Sequence, residues 1–228
     1  MRLAIHQPNY FPWLGYFFKM LSSDVFIFLD DVQYTKNSFI NRVQVKKGNE
    51  SCWLTVPVSF HFGDSINVVK PANSIWMDQH INLLANNYRG SSYYREVMLI
   101  VQDIFKLISD DSIADINCFI IKKIAILLEI DCQFVLSSEI DVGDCVGDDR
   151  LVKLAKAIAP DAFYLSGKGA SKYQNREKFI KAGLGFEYLE FEHPIYDQGM
   201  QKFVPCRSIL DVLYNQGIDG ARRLLYLK

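Results

Sequence analysis

The sequence has no C-x-x-C pair, no long apolar run and no excess of basic charge, and each absence removes a class of function. Its five cysteines, at 52, 118, 132, 145 and 206, are odd in number and scattered, which argues for separate reduced thiols and against a disulfide framework or a structural zinc site. The most apolar stretch, "FIIKKIAILLEI", carries two lysines and a glutamate. It falls short of the roughly 18 apolar residues that a membrane helix needs. With 25 Lys and Arg against 26 Asp and Glu there is no basic stripe, so no nucleic-acid partner is expected. The N-terminus passes from one arginine straight into a strand pattern and lacks the form of a signal peptide, which points to the cytoplasm. The G-x-S-x-G, S-x-x-K and P-loop spacings are also missing. No metal is expected either, because no ligand pair stands at close spacing.

Half of the 228 residues are apolar and 14% are aromatic, enough to bury a sizeable core and too many for a disordered chain. "RLAIHQP" reads as a short apolar strand stopped by Pro8, "YFPWLGYFFKMLSSD" as a helix, and "VFIFLDDVQY" as a strand with two buried faces. Strand, helix and strand within about 30 residues make a βαβ unit. "NRVQVKKGNESCWLTVPVSF" alternates and turns at "KKGNES", which predicts an antiparallel hairpin, and "INVVK" is a candidate further strand. Residues 74–108 read as two helices broken near Gly90, and 112–130 as another. Strand and helix then alternate: "CQFVLSSEI", "RLVKLAKAIAP", "AFYLSGKGA", "NREKFIKAGL" and a last strand "FEYLEFEHPIY", before two closing helices. The fold expected is α/β, a Rossmann-like parallel sheet interrupted by an antiparallel hairpin and a helical insert. It is expected as a single domain over residues 1–228, with the insert at about 75–128.

In such sheets ligands bind beyond the carboxyl ends of the strands. That rule gathers the polar clusters of this sequence onto one edge. His6 and Gln7 end the first strand, with Asn9 and Tyr10 in the next loop; His6 fits either a base or phosphate ligand, or a histidine satisfied by a backbone carbonyl. Asp30 and Asp31 end the second strand and suit a ribose, an amine or a turn cap. Lys36, Asn41 and Arg42 follow, and the planar fork of Arg42 suits a carboxylate or phosphate, or else a surface salt bridge. In "YLSGKGASKY", the small residues Ser166, Gly167 and Gly169 let backbone amides approach an anion, with Lys168 and Tyr173 offering side chains. "EHPIYDQ" places His193, Tyr196 and Gln198 at the end of the last predicted strand. The aromatics at 10–17 follow helical spacing, which favours core packing over a partner or glycan surface.

Together "IHQPNYFPWLGYFFKM", "DVFIFLDDVQYTKNSFINRVQV", "WLTVPV", "YLSGKGASKY", "HPIYDQ" and "FVPCRSILDVLYNQG" resemble the WbqC family of bacterial proteins, from residue 3 to about 217. The sequence departs from that pattern at Asp197 and at "CRS", residues 206–208. The family occurs in O-antigen and other surface-polysaccharide gene clusters. The resemblance therefore implies a cytoplasmic enzyme that transfers an acyl or aminoacyl group to the amine of a nucleotide-linked amino sugar. The donor implied is an acyl-CoA, an acyl-carrier protein or an ATP-activated acid. His6, His193 and Asp30 would be catalytic, and the other residues named above would bind substrate. The alternative is a non-catalytic nucleotide-sugar binding or assembly protein that meets an acyl carrier or a pathway enzyme. A looser similarity to nucleotidyltransferases implies a nucleotide-shaped pocket, although "PWLGY" stands where their H-x-G-H pair would be.

Overall fold

Pro8 has no backbone N–H and closes the first apolar run, so β1 (Arg2–His6) is short. A computed structural model of the chain describes residues 1–109 and 111–226. After β1 come α1 (Leu14–Leu21) and β2 (Val25–Phe28), then the hairpin β3 (Arg42–Lys47) and β4 (Glu50–Thr55), and the short pair β5 (Val58–Ser59) and β6 (Lys70–Pro71). The helices α2 (Ile75–Tyr88), α3 (Tyr94–Lys106) and α4 (Ile113–Leu127) follow. The remainder is β7 (Gln133–Leu136), α5 (Gly147–Ile158), β8 (Phe163–Gly167), α6 (Arg176–Lys181), β9 (Gly185–Leu189) and α7 (Ile209–Tyr226). Among the described residues, no helix is long and apolar enough to cross a membrane.

The chain forms two compact units. The first comprises Met1–Gln7, Phe18–Asp31 and Ile130–Glu192. Its sheet is wholly parallel, in the order β7-β2-β1-β8-β9. The expected Rossmann-like α/β sheet is present, with β1 beside β2 in the register Leu3↔Val25 to His6↔Phe28. One face presents Leu3, Ile5, Val25 and Ile27 to Leu154 and Ala155 of α5 and Phe179 of α6. The other presents Ala4, Phe26 and Phe28, equally buried, with Phe28 stacked on Phe134 at 5.7 Å. Burial on both faces is why these strands read as apolar runs without alternation. The last strand is shorter than the sequence suggests. It stops at Leu189 because its neighbour β8 ends at Gly167, the residue paired with Leu189.

In chain order the sheet runs third, second, first, fourth and fifth strand. The connections therefore reverse direction between β1 and β8. This is a topological switch point, where the loops leaving two neighbouring strands diverge and open a crevice.

The second unit comprises Pro8–Phe17, Val32–Glu129 and the chain from His193 onward. It contains the expected hairpin, turning at Gly48 with φ 60°. "INVVK" contributes little: only Lys70–Pro71 pairs, with Val58–Ser59, since Pro71 cannot extend the ladder. A capping box starts α4, in which Ser112 Oγ accepts from Asp115 N (3.1 Å) and Asp115 Oδ2 accepts from Ser112 N (3.2 Å). The two closing helices join as α7 across a kink at Gly217, where φ is 68° and a Cβ would stand 2.6 Å from the Tyr93 ring. Inside this unit Tyr88 stacks on Tyr214 at 4.4 Å and donates to Asp211 Oδ1 at 2.7 Å, while Tyr196 donates to Asp211 Oδ2 at 2.9 Å. Arg207 lies 3.5 Å from the same carboxylate and donates to Glu50 O and Ser51 Oγ, tying α7 to the hairpin.

Candidate functional site

The carboxyl edge of the first unit's sheet carries His6 on β1, Asp30 just past β2 and Ser166 on β8, so these three expected residues lie along one edge. Nδ1 of His6 donates to Gln7 O at 3.0 Å, which leaves the ring's lone pair on Nε2. Burial first, and the charge of Lys19 second, push the imidazole down to about 4, so it is neutral at physiological pH. Lys19 comes from α1, is 6% exposed, and donates from Nζ to Ile5 O at 2.8 Å. Burial pushes its ammonium down to about 7. A lysine so perturbed, beside a histidine at a strand end, marks this edge as a candidate site for proton transfer.

Asp30 is heavily engaged. Its Oδ1 accepts from Ser138 N (3.0 Å), its Oδ2 from Ser138 Oγ (2.6 Å), and Ser137 Oγ stands 2.9 Å from Oδ1. Asp31 is held by Ser137 Oγ and by the Arg150 guanidinium. The two carboxylates thus brace the end of β2 against the turn that follows β7. After β8, the hydroxyl of buried Ser166 donates to Gln174 Oε1, and residues Lys168–Lys172 wind into a short 3-10 helix. Lys168 is exposed and paired with Glu190 at 2.8 Å; Tyr173 is also exposed. Gly167 and Gly169 have ordinary backbone angles, and a Cβ on either would meet no atom within 4 Å. Packing within the chain therefore does not require glycine at either place, and the space beside them is open.

The other expected residues belong to the second unit. Asn9 is buried, and Tyr10 is fully buried with its hydroxyl donating to His80 Nδ1 at 2.9 Å. Lys36 is exposed. Asn41 donates to Val56 O, and Arg42 lies over the Trp53 ring. Gln198 clasps the backbone of Val204 at both N and O and donates to Tyr196 Oη, so it braces a loop. His193 was expected at a strand end, but β9 stops before it; its Nε2 lies 3.0 Å from the exposed thiol of Cys206. Burial raises that thiol and lowers that imidazole, so the pair rests as neutral thiol and neutral imidazole. A polar recess of about 320 Å³ in this unit, bordered by Lys46, Asn87, Ser91, Asp197 and Asn215, holds none of the residues nominated from sequence.

The sequence model of the WbqC-like protein family matches residues 7–223. The chain belongs to that family. It is also similar to Uncharacterized protein Rv1507c of Mycobacterium tuberculosis, 28% identical over 230 residues that cover 100% of this chain and 99% of the relative. No solved structure matches it. In this WbqC-like chain, sequence reasoning missed Lys19, the serines and arginine around Asp30 and Asp31, and Cys206 beside His193. Lys19 sits within a helix whose spacing reads as core, and only its burial beside β1 marks it. The others pair across sequence separations of 107 for Ser137 with Asp30 and 13 for Cys206 with His193, which no local motif signals.

Half-buried His6 and buried His80 both weaken this WbqC-like fold in acid. His6 and His80 are both held near 4 against 6.5 when free, chiefly by burial. The unfolded chain binds their protons more tightly, so their contribution is complete above pH 6.5 and is lost as pH falls towards 4. Urea unfolding should show stability dropping through that window by roughly 3 kcal/mol per histidine. His80→Gln should remove part of the slope, and an unchanged slope would show that His80 titrates normally.

Proposed function

We propose that the carboxyl edge of the first unit's sheet binds a nucleotide-linked amino sugar, and that the chain transfers an acyl or aminoacyl group to the sugar's amine in bacterial surface-polysaccharide (O-antigen) biosynthesis. The observation that carries this reading is the switch point between β1 and β8, with His6 and Ser166 at its two strand ends and open backbone at Gly167 and Gly169. Transfer needs a donor such as an acyl-CoA, an acyl-carrier protein or an ATP-activated acid. The amine lone pair attacks the acyl carbonyl carbon, a C–N bond forms, and the donor's thiol or phosphate departs with its electron pair. The substrate ammonium must first lose a proton. Lys19, poised near 7, accepts it and gives it up to the departing thiolate or phosphate, and His6, neutral at the end of β1, orients the amine. Asp30 keeps the turn after β7 in place, and Ser166 orients the loop after β8 through Gln174.

The test is incubation with dTDP- and UDP-linked amino sugars and a panel of acyl donors, reading product mass. Turnover should appear with at least one donor. His6→Ala should cut it by about tenfold or more while leaving thermal stability nearly intact. A variant that is destabilised by about 1–3 kcal/mol yet binds normally would assign His6 to the fold instead. One observation favours the second reading, a non-catalytic nucleotide-sugar binding or assembly protein. Asp30, Asp31 and Ser166 already spend their side chains on partners within the chain. Binding of the nucleotide sugar with no turnover across the whole panel would select it.

A further inference from the structure

Arg42 opens β3 on the outer row of the hairpin, diagonally across from Trp53 of β4. Its guanidinium carbon stands 4.1 Å from the indole centroid, so the ring backs one face of the cation. Among the described residues the guanidinium makes no hydrogen bond and no ion pair, and its Nε is buried without an acceptor. Tyr34 is 5% exposed, with its ring against Phe60 at 4.9 Å. Its hydroxyl is likewise buried without a partner. The two groups lie within electrostatic reach, since the charge of Arg42 draws down a phenol that burial raises.

Buried donors are nearly always paired in folded proteins, and an unpaired one is costly. Here two unpaired donors belong to groups that feel one another, and one of them carries a full positive charge. Guanidinium has no acceptor atom, so the missing partner must supply oxygen lone pairs, and a charged partner also balances the cation. We infer that Tyr34 and Arg42, backed by Trp53, form an oxyanion subsite within the second unit that takes a phosphate-class anion, with inorganic pyrophosphate as its probe. The subsite does not rest on the function proposed above.

Titration calorimetry with inorganic pyrophosphate tests it, in the absence of sugar and acyl donor. Wild-type protein should bind pyrophosphate at least about tenfold more tightly than acetate. Arg42→Gln should weaken binding by about tenfold or more, and Arg42→Lys, which keeps the charge and loses the fork, should recover only part of it. Tyr34→Phe should weaken binding by about threefold or more while its urea midpoint stays level or rises, because only an unpaired hydroxyl is removed. Lys106→Gln, remote in sequence and exposed, should bind as wild type does. The subsite is overturned if wild type shows no pyrophosphate binding, if Tyr34→Phe lowers the midpoint and binds normally, or if acetate binds as tightly as pyrophosphate. Failure here leaves acyl transfer untouched, and failure to find turnover leaves this binding result standing.

Discussion

Lys19→Met should make the protein more stable at pH 7 and nearly inactive. Lys19 holds its proton to about 7 in the fold against 10.5 when free, with burial as the cause. Between those values the unfolded chain is protonated and the folded one is not. Stability from this group therefore rises with pH from 7 to 10.5, and below 7 the full penalty is carried. The gap corresponds to roughly 5 kcal/mol. Methionine keeps the stem packed in the same space and removes the charge, but it leaves Ile5 O without its donor, which costs about 1–3 kcal/mol. A net gain of about 2–4 kcal/mol at pH 7 is expected, shrinking towards pH 10 as wild type sheds the penalty. Transfer should fall by about 10²–10⁴-fold, the usual loss when a general base is removed. Urea midpoints at pH 7 and pH 10, beside turnover, check both halves. A variant that is less stable at pH 7 would make Lys19 a structural anchor for the end of β1.

Arg207→Met should have the largest effect in the opposite direction. Arg207 and Asp211 are both fully inside the second unit. Burial raises the Asp211 carboxyl, and the bonds from Tyr88 and Tyr196 and the charge of Arg207 work against that rise. Removing the guanidinium leaves the carboxylate buried without its counter-charge and leaves Glu50 O and Ser51 Oγ without their donor. Breaking a buried pair on one side costs about 3–5 kcal/mol. Adding Asp211→Asn to the variant should return part of that, because no charge is then left uncompensated. A double variant as unstable as the sum of the two single ones would show that the residues act independently.

Much of the fold was legible because the parallel strands are buried on both faces and say so. "LAI" and "VFIF" are continuous apolar runs, and the hairpin announces itself by alternation and Gly48. The strand that was overextended, "FEYLEFEHPIY", failed for a reason outside its own residues: how far an edge strand runs depends on where its neighbour stops. The same limit governed the candidate site. His6, Asp30 and Ser166 could be placed on one edge because strand direction alone puts them there. Tyr10 and Gln198 look like ligands in the sequence because both are polar near a motif, but their commitments to His80 and Val204 are set by tertiary contacts. Lys19 was hidden for the converse reason. A lysine within an amphipathic pattern reads as the solvent face, and only packing shows that its amine is turned inward.

The proposed entry point of the ligand is the β1–β8 switch point. Hydrogen exchange followed by mass spectrometry, with and without a saturating dTDP-linked amino sugar, tests it most directly. Slowed exchange should concentrate in the peptides that span residues 5–10 and 165–170, and His6→Ala should weaken the effect. Protection confined to other strand ends, or to the recess bordered by Lys46 and Asn87, would contradict the claim.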